Sequence, residues 1–166
     1  MNKKTPLSIR KASDKDAQQV LNFIVALAEY ERLADQVTAT LEDIQQSLFV
    51  RKEAEVLIAE WQGEPAGFAL FFHNYSTFLG KKGIHLEDLF VLPEFRGKGI
   101  GKHLLKSLAK IAVERDCGRL EWCVLDWNQP AIDFYKSLGA ETLNEWLINR
   151  VTSESLLHLA KLSDAD

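Results

Sequence analysis

Cysteine is scarce in this chain of 166 residues, with only Cys117 and Cys123 present. Two thiols without a secretory signal point to reduced side chains rather than a disulfide scaffold. Long apolar runs are missing too. No stretch approaches the roughly 20 residues of a membrane span, and Met1 to Arg10 lacks the apolar centre of a signal peptide. A cytoplasmic protein with no membrane partner is therefore expected. Positive charge is not in excess either: 20 Lys and Arg stand against 24 Asp and Glu, a net charge of −4. That balance argues against a nucleic-acid partner and permits a cationic one. His73, His85, His103 and His158 show no ligand spacing of the His-Glu-x-x-His kind, so no metal is expected. Repeats, low-complexity tracts and linkers are absent. What remains, 46% hydrophobic and 27% charged residues, suits one soluble domain over 1–166. A domain of this length buries roughly 70% of its unfolded surface, enough for a core without staples.

Periodicity supplies the elements. Leu7 to Lys11 predicts a first strand. Ser13 with Asp16 resembles a capping box, and Ala17, Val20, Leu21, Ile24, Leu27 and Ala28 form one face of a helix ending near Leu33. Thr40 starts a shorter helix with Leu41, Ile44 and Leu48. Glu55 to Trp61 and Ala66 to His73 flank Gln62-Gly63-Glu64-Pro65 as a hairpin. Asn74 to Gly83 reads as a functional loop, and Ile84 to Leu92 as the next strand. Gly99 to Asp116 predicts a long helix stopped by Gly118. Arg119 to Asp126 predicts a strand, and Asn128 to Leu138 a helix with Pro130 in its first turn and Gly139 past its end. Trp146 to Val151 is a last strand and Ser153 to Leu162 a last helix. The order β-α-α-β-β-β-α-β-α-β-α implies an α/β (α+β) fold, a mixed sheet with helices on both faces.

Chemistry concentrates between Leu86 and Glu141. At its centre Arg96-Gly97-Lys98-Gly99-Ile100-Gly101 follows a strand and opens the long helix. A helix start exposes amides with no internal partner, the dipole adds positive potential, and glycines let a ligand approach the backbone. Such a turn binds phosphate or pyrophosphate. A Walker loop and the Gly-x-Gly-x-x-Gly dinucleotide pattern both need glycine at position 102, where Lys102 stands. The alternative to a ligand loop is a plain glycine-rich turn.

Arg96 to Gly101 resembles the acetyl-CoA pyrophosphate loop of the GNAT acetyltransferase superfamily. Leu89, Phe90 and Val91 resemble the strand whose backbone pairs with the pantetheine arm. Asp126-Trp127-Asn128-Gln129-Pro130-Ala131 and Phe134-Tyr135-Lys136-Ser137-Leu138-Gly139 resemble the second half-site. Within the superfamily the likeness is to the diamine (spermidine/spermine) acetyltransferases and their thialysine-acetylating relatives. It is carried by Ala28-Glu29-Tyr30-Glu31, Asp35-Gln36-Val37, Tyr75-Ser76-Thr77, Leu86-Glu87-Asp88 and Leu125-Asp126-Trp127-Asn128-Gln129. The thialysine branch has Trp where this chain has Phe78, and the polyamine branch an acid near Ser76, so the amine stays open.

The resemblance implies a GNAT-like, mostly antiparallel sheet and an acetyl-CoA-dependent N-acetyltransferase acting directly on the primary amine of a small substrate. It places acetyl-CoA on Leu89, Phe90, Val91, Arg96, Gly97, Lys98, Gly99, Ile100, Gly101, Lys102, Asn128 and Ala131. Tyr135 is implied as the general acid for the departing thiolate, and Glu87 as proton acceptor for the amine, directly or through water. Tyr30, Glu31 and Glu87 are implied around the amine, where a carboxylate and an aromatic face attract a cation. Glu29 and Glu31 at a helix C-terminus oppose the dipole, which also hints at a use other than stability. Glu87 and Asp88, adjacent on a strand, are expected on opposite faces, with Asp88 a solvated or paired carboxylate. Cys123 is expected as a buried small hydrophobe, and Trp122, Trp127 and Phe134 as packing. The resemblance further implies a homodimer, with Leu156, Leu157, Leu159 and Leu162 serving either that interface or the core. Two rivals remain: a protein lysine or N-terminal acetyltransferase, and a non-catalytic module that senses acetyl-CoA.

Overall fold

A computed structural model describes residues 6–162. They divide into two compact units on either side of the Cys123–Val124 bond. The first unit holds a five-stranded sheet in the order β1 (Leu7–Lys11), β2 (Glu55–Trp61), β3 (Glu64–Ser76), β4 (Lys81–Val91) and β5 (Leu120–Trp122). Its first four strands pair antiparallel, and β5 joins β4 in parallel. The sheet is thus mixed and mostly antiparallel, as expected.

Two apolar layers sandwich it. On one face α1 (Ala17–Tyr30) and α2 (Leu41–Ile44, continued by a π-helical stretch Gln45–Val50) bury Val20, Phe23, Leu27, Ile44 and Leu48 against Val56, Ile58, Phe68 and Phe90. Phe23 stacks on Phe68 with ring centroids 5.1 Å apart. The alternate positions of β2, Leu57 and Ala59, are buried as well, which strand alternation assigns to the opposite face. There α3 (Ile100–Glu114) buries Ile100, Leu104, Leu105, Leu108 and Ala112 at helical spacing.

Caps set the helix limits. Thr40 and Asp43 form a reciprocal capping box, with the Thr40 amide donating to Asp43 Oδ2 at 2.8 Å and the Asp43 amide donating to Thr40 Oγ1 at 3.2 Å. Thr40→Ala is expected to cost about 1 kcal/mol, read as a lower urea midpoint at unchanged slope. The α1 helix stops at Tyr30, three residues before the expected Leu33. Arg32 turns left-handed (φ 62°), and the Leu33 amide donates to the Ala28 carbonyl at 2.8 Å, which is a Schellman end. The α3 helix ends the same way at Asp116 (φ 53°), with the Cys117 amide on the Ala112 carbonyl. Asp116, not Gly118, is therefore the stop signal.

The expected loop Asn74–Gly83 is mostly strand. Asn74, Tyr75 and Ser76 pair with Gly83, Lys82 and Lys81, leaving a tight turn at 77–80. Polar residues suit this stretch because they find partners there: Asn74 Nδ2 donates to Glu121 Oε1 at 3.2 Å, and the buried Ser76 Oγ accepts from the Leu79 amide at 3.2 Å. The Arg119–Asp126 strand shortens to Leu120–Trp122. Its ladder covers only Ile84 to Leu86 of β4 and stops where β4 changes register. Cys123 is exposed rather than buried, because it lies just past that ladder.

The second unit contains α4 (Gln129–Ser137) and α5 (Ser153–Ala160). Gly139 (φ 90°) closes α4 as expected, with the Ala140 amide donating to the Tyr135 carbonyl at 3.1 Å. The expected strand Trp146–Val151 forms no ladder among the described residues. Trp146, Leu147 and Ile148 are adjacent rather than alternating, so no single sheet face could bury them; all three are exposed, as are Leu156, Leu157, Leu159 and Leu162. No helix among the described residues is long and apolar enough to cross a membrane.

Candidate active site

A single inserted residue organises the acidic part of the site. Across the β3–β4 ladder Leu70 faces Asp88, but the next pair is Phe71 with Leu86. Glu87 is therefore the extra residue of a β-bulge. In a regular strand Leu86 and Asp88 would share a face. Here Leu70 packs on the α1 layer, so Asp88 opposite it lies on that layer's side, while Leu86 goes with Phe71. Strict alternation between Glu87 and Asp88 does not survive this bulge.

Of the two settings expected for Asp88, solvated or paired, the first does not hold. Loss of water pushes its carboxyl up to about 6, and the charges of Glu87 and then Glu31 push the same way. Glu31 is itself raised by burial. Glu87 stays more open, with its side chain 56% exposed and its Oε2 3.5 Å from His85 Nε2. Three carboxylates thus converge, and the Schellman turn at Arg32 presents one of them from the end of α1. Like charges held together in a poorly hydrated place favour a bound cation. Sequence reasoning missed Asp88; the usable signal was a third acid near Glu31 and Glu87, and alternation concealed it.

The β4 strand beyond the bulge offers backbone. The Leu92 amide donates to the Ala66 carbonyl, so by alternation Phe90 and Asp88 also bond toward β3. The amides and carbonyls of Leu89 and Val91 turn the other way, to the side where the β5 ladder has ended. Such an edge can pair with an extended amide-bearing ligand.

Next comes the glycine loop. Gly97 (φ 78°) and Gly99 (φ 75°) are both left-handed, and Gly99 is the N-cap of α3. A Cβ built at Gly97 meets no atom within 4 Å, and at Gly99 only the His103 ring, 3.7 Å away. Space is therefore open over the loop, and conformation alone demands glycine. Gly99→Ala is expected to destabilise the fold by about 1 kcal/mol, measured by thermal unfolding. Ile100, Gly101 and Lys102 supply first-turn amides.

Arg96 joins the loop to the acidic region. Its guanidinium lies 4.8 Å from the Tyr30 ring centroid and 5.5 Å from that of Phe90, and its Nε donates to the Val91 carbonyl at 3.1 Å. Tyr30 thus carries Arg96 on its ring, a contact sequence reasoning did not foresee. Lys98 Nζ sits 5.2 Å from the Trp61 ring. In the second unit Asn128 is buried and its Oδ1 accepts from the Ala131 amide at 3.4 Å. Tyr135 lies on the same helix, its ring 5.4 Å from Phe134. No group of three His, Cys, Asp or Glu side chains among the described residues could hold a metal.

The chain is similar to known proteins in sequence and fold. The profile of the acetyltransferase (GNAT) family covers residues 19–140. The thialysine N-epsilon-acetyltransferase of Bos taurus is 40% identical over 166 residues, covering 92% of this chain and 96% of the relative. The L-ornithine N5-acetyltransferase NATA1 of Arabidopsis thaliana is 48% identical over 98 residues, covering 59% of this chain and 43% of the relative. Among solved structures, an integron cassette protein from the mobile metagenome of V. cholerae superposes with a TM-score of 0.81 at 28% identity, covering 96% of this chain and all of that one.

Proposed function

The chain belongs to the acetyltransferase (GNAT) family and is an N-acetyltransferase, and from this premise we propose that it moves the acetyl group of acetyl-CoA to the primary amine of a small, thialysine-like or ornithine-like substrate. The observation that carries the choice of amine is the convergence of Glu31, Glu87 and Asp88. Neighbouring acidic charges suit a substrate that carries positive charge.

The residues divide the work as follows. Open space over Gly97 and the first-turn amides of α3 suit the coenzyme's diphosphate, with Arg96 and Lys98 adding charge. The Leu89–Val91 edge suits its amide-bearing arm and polarises the thioester carbonyl. Glu87 takes a proton from the amine, directly or through water, so that the nitrogen lone pair can attack. The C–N bond forms, the C–S bond breaks, and Tyr135 protonates the leaving sulfur. Asn128 holds the first turn of α4. No metal takes part in this scheme.

We further propose that residues 1–166 act as one domain, in the cytoplasm and as a homodimer. Support for the domain is the family profile, which runs through the Cys123–Val124 boundary. Support for the dimer is exposed apolar surface at Phe78, Trp146, Leu147 and Ile148. A panel of thialysine, ornithine, lysine, polyamines and lysine-bearing peptides, assayed by free-thiol release, tests the acceptor. The free amines are expected to exceed peptides at least tenfold in kcat/KM. Preference for the peptides would transfer the chain to the protein acetyltransferases. Coenzyme binding with no thiol release on any amine would make it a sensor.

A further inference from the structure

The first unit has a concavity whose lining includes none of the residues assigned to acetyl transfer. It is a cavity of about 520 Å³ at the start of β2, where β1 ends and the π-helical stretch turns back to the sheet. A volume of this order is that of a small-molecule site. It is far from the coenzyme loop along the sheet. Phe71, on its wall, pairs with Leu86, whereas Val91 pairs with Gly67, four residues on along β3. At roughly 3.3 Å per residue this is about 13 Å, with the Arg96 loop beyond.

Its chemistry is two-sided. Phe49 and Ala54, with the edges of the buried Leu48 and Val56, make the apolar wall, and Lys11 and Lys52 stand with Glu55 at the polar side. Glu55 does not cancel both lysines, because Arg115 already engages its two oxygens. Arg115 donates to both of its oxygens, at 2.5 and 2.8 Å, and Lys11 Nζ lies 3.8 Å away. Arg115 and Lys11 hold that carboxyl below its usual range. No carboxylate lies within ion-pair distance of Lys52 among the described residues; its neighbour Glu53 pairs with Arg51. The side facing the cavity is therefore net positive.

Two backbone irregularities lie at the same place. The wall residues Leu48 and Phe49 fall within the π-helical stretch, a rare geometry frequent at functional sites. Lys52 is left-handed at φ 54°, which costs a non-glycine residue about 1 kcal/mol or more. Lys52 closes the stretch as Arg32 closes α1, with the Glu53 amide donating to the Ser47 carbonyl at 2.9 Å.

We propose that this cavity binds a small amphipathic carboxylate, with an apolar body of about six to ten carbons against Leu48 and Phe49 and its anion between Lys11 and Lys52. The site is distinct from the acetyl-transfer site, and the inference does not depend on which amine is acetylated.

Calorimetry of the purified protein with 4-phenylbutyrate tests it, alongside 4-phenylbutanamide, which has the same body without charge. Saturable binding of the carboxylate is expected, with Kd on the order of 0.1–1 mM, and at least tenfold weaker binding of the amide. Lys11→Gln combined with Lys52→Gln should weaken the carboxylate about tenfold. Ala54→Phe, which fills the cavity, should abolish binding in protein shown to be folded by circular dichroism. Saturating coenzyme A should leave the titration unchanged. Absence of saturable binding, equal affinity for the amide, indifference to the lysine substitutions, or displacement by coenzyme A each overturns the proposal.

Discussion

Tyr135→Phe is expected to lower turnover by about a hundredfold, within the usual contribution of a positioned general acid, while coenzyme affinity stays within about twofold. The substitution removes one oxygen. The ring keeps its contact with Phe134, and the Tyr135 carbonyl still accepts from the Ala140 amide to close α4, so the fold should persist. A free thiol titrates near 8.5, so a departing thiolate accepts a proton readily at neutral pH. Single-turnover thiol release, compared with equilibrium binding of coenzyme A, separates the chemical step from affinity. Turnover within threefold of the parent would take Tyr135 out of the reaction. A joint loss of turnover and binding would reassign it to packing.

Asp88→Asn should stabilise the protein at pH 8 and impair it as a catalyst. The folded carboxyl titrates near 6 against an ordinary 3.8. Below the lower value both states are protonated, and Asp88 contributes nothing. Between the two values the folded protein holds a proton that the unfolded chain has released, so stability falls as pH rises. Above 6 the folded state bears the full cost of an ionised, poorly hydrated carboxylate. A shift of roughly two pH units corresponds to about 3 kcal/mol, and local relaxation brings the expected gain to about 2 kcal/mol. Urea unfolding should therefore show no difference near pH 4 and a higher midpoint for the variant at pH 8. The same variant should raise the KM for the amine at least tenfold, since it removes one of three converging charges. A destabilised variant at pH 8 would mean that Asp88 is held by stronger favourable contacts than its neighbours Glu31 and Glu87 imply.

That pairing of gain and loss explains why the acidic site was only half legible. Glu31 and Glu87 could be singled out because their neighbours in sequence resemble a family pattern. The environment of Asp88 depends on the bulge at Glu87, and the bulge depends on how β3 and β4 align over their whole length. Nothing within a few residues of Glu87 announces it. Helix ends divide in the same way. Gly139 was visible because glycine adopts positive φ freely, whereas Arg32 and Asp116 do so against their own preference. Packing of α1 and α3 onto the sheet holds them there. The Trp146–Val151 segment shows the opposite failure: apolar, β-prone residues were present, but strand formation needs a partner edge, and composition cannot supply one.

From sequence alone came the kinds and order of most elements, the Gln62-Gly63 hairpin, the core face of α1 except for Phe23, and the glycine loop opening α3. Each is a local property, set by side-chain periodicity of 2 or 3.6 and by the φ that glycine permits. Tertiary structure decided the register of β4, the hydration of Asp88, and the seating of Arg96 on Tyr30 and Phe90. It also opened the lysine-rimmed cavity beside Phe71. These features join residues dozens of positions apart, and desolvation and charge act through space, so only the folded chain brings them into effect.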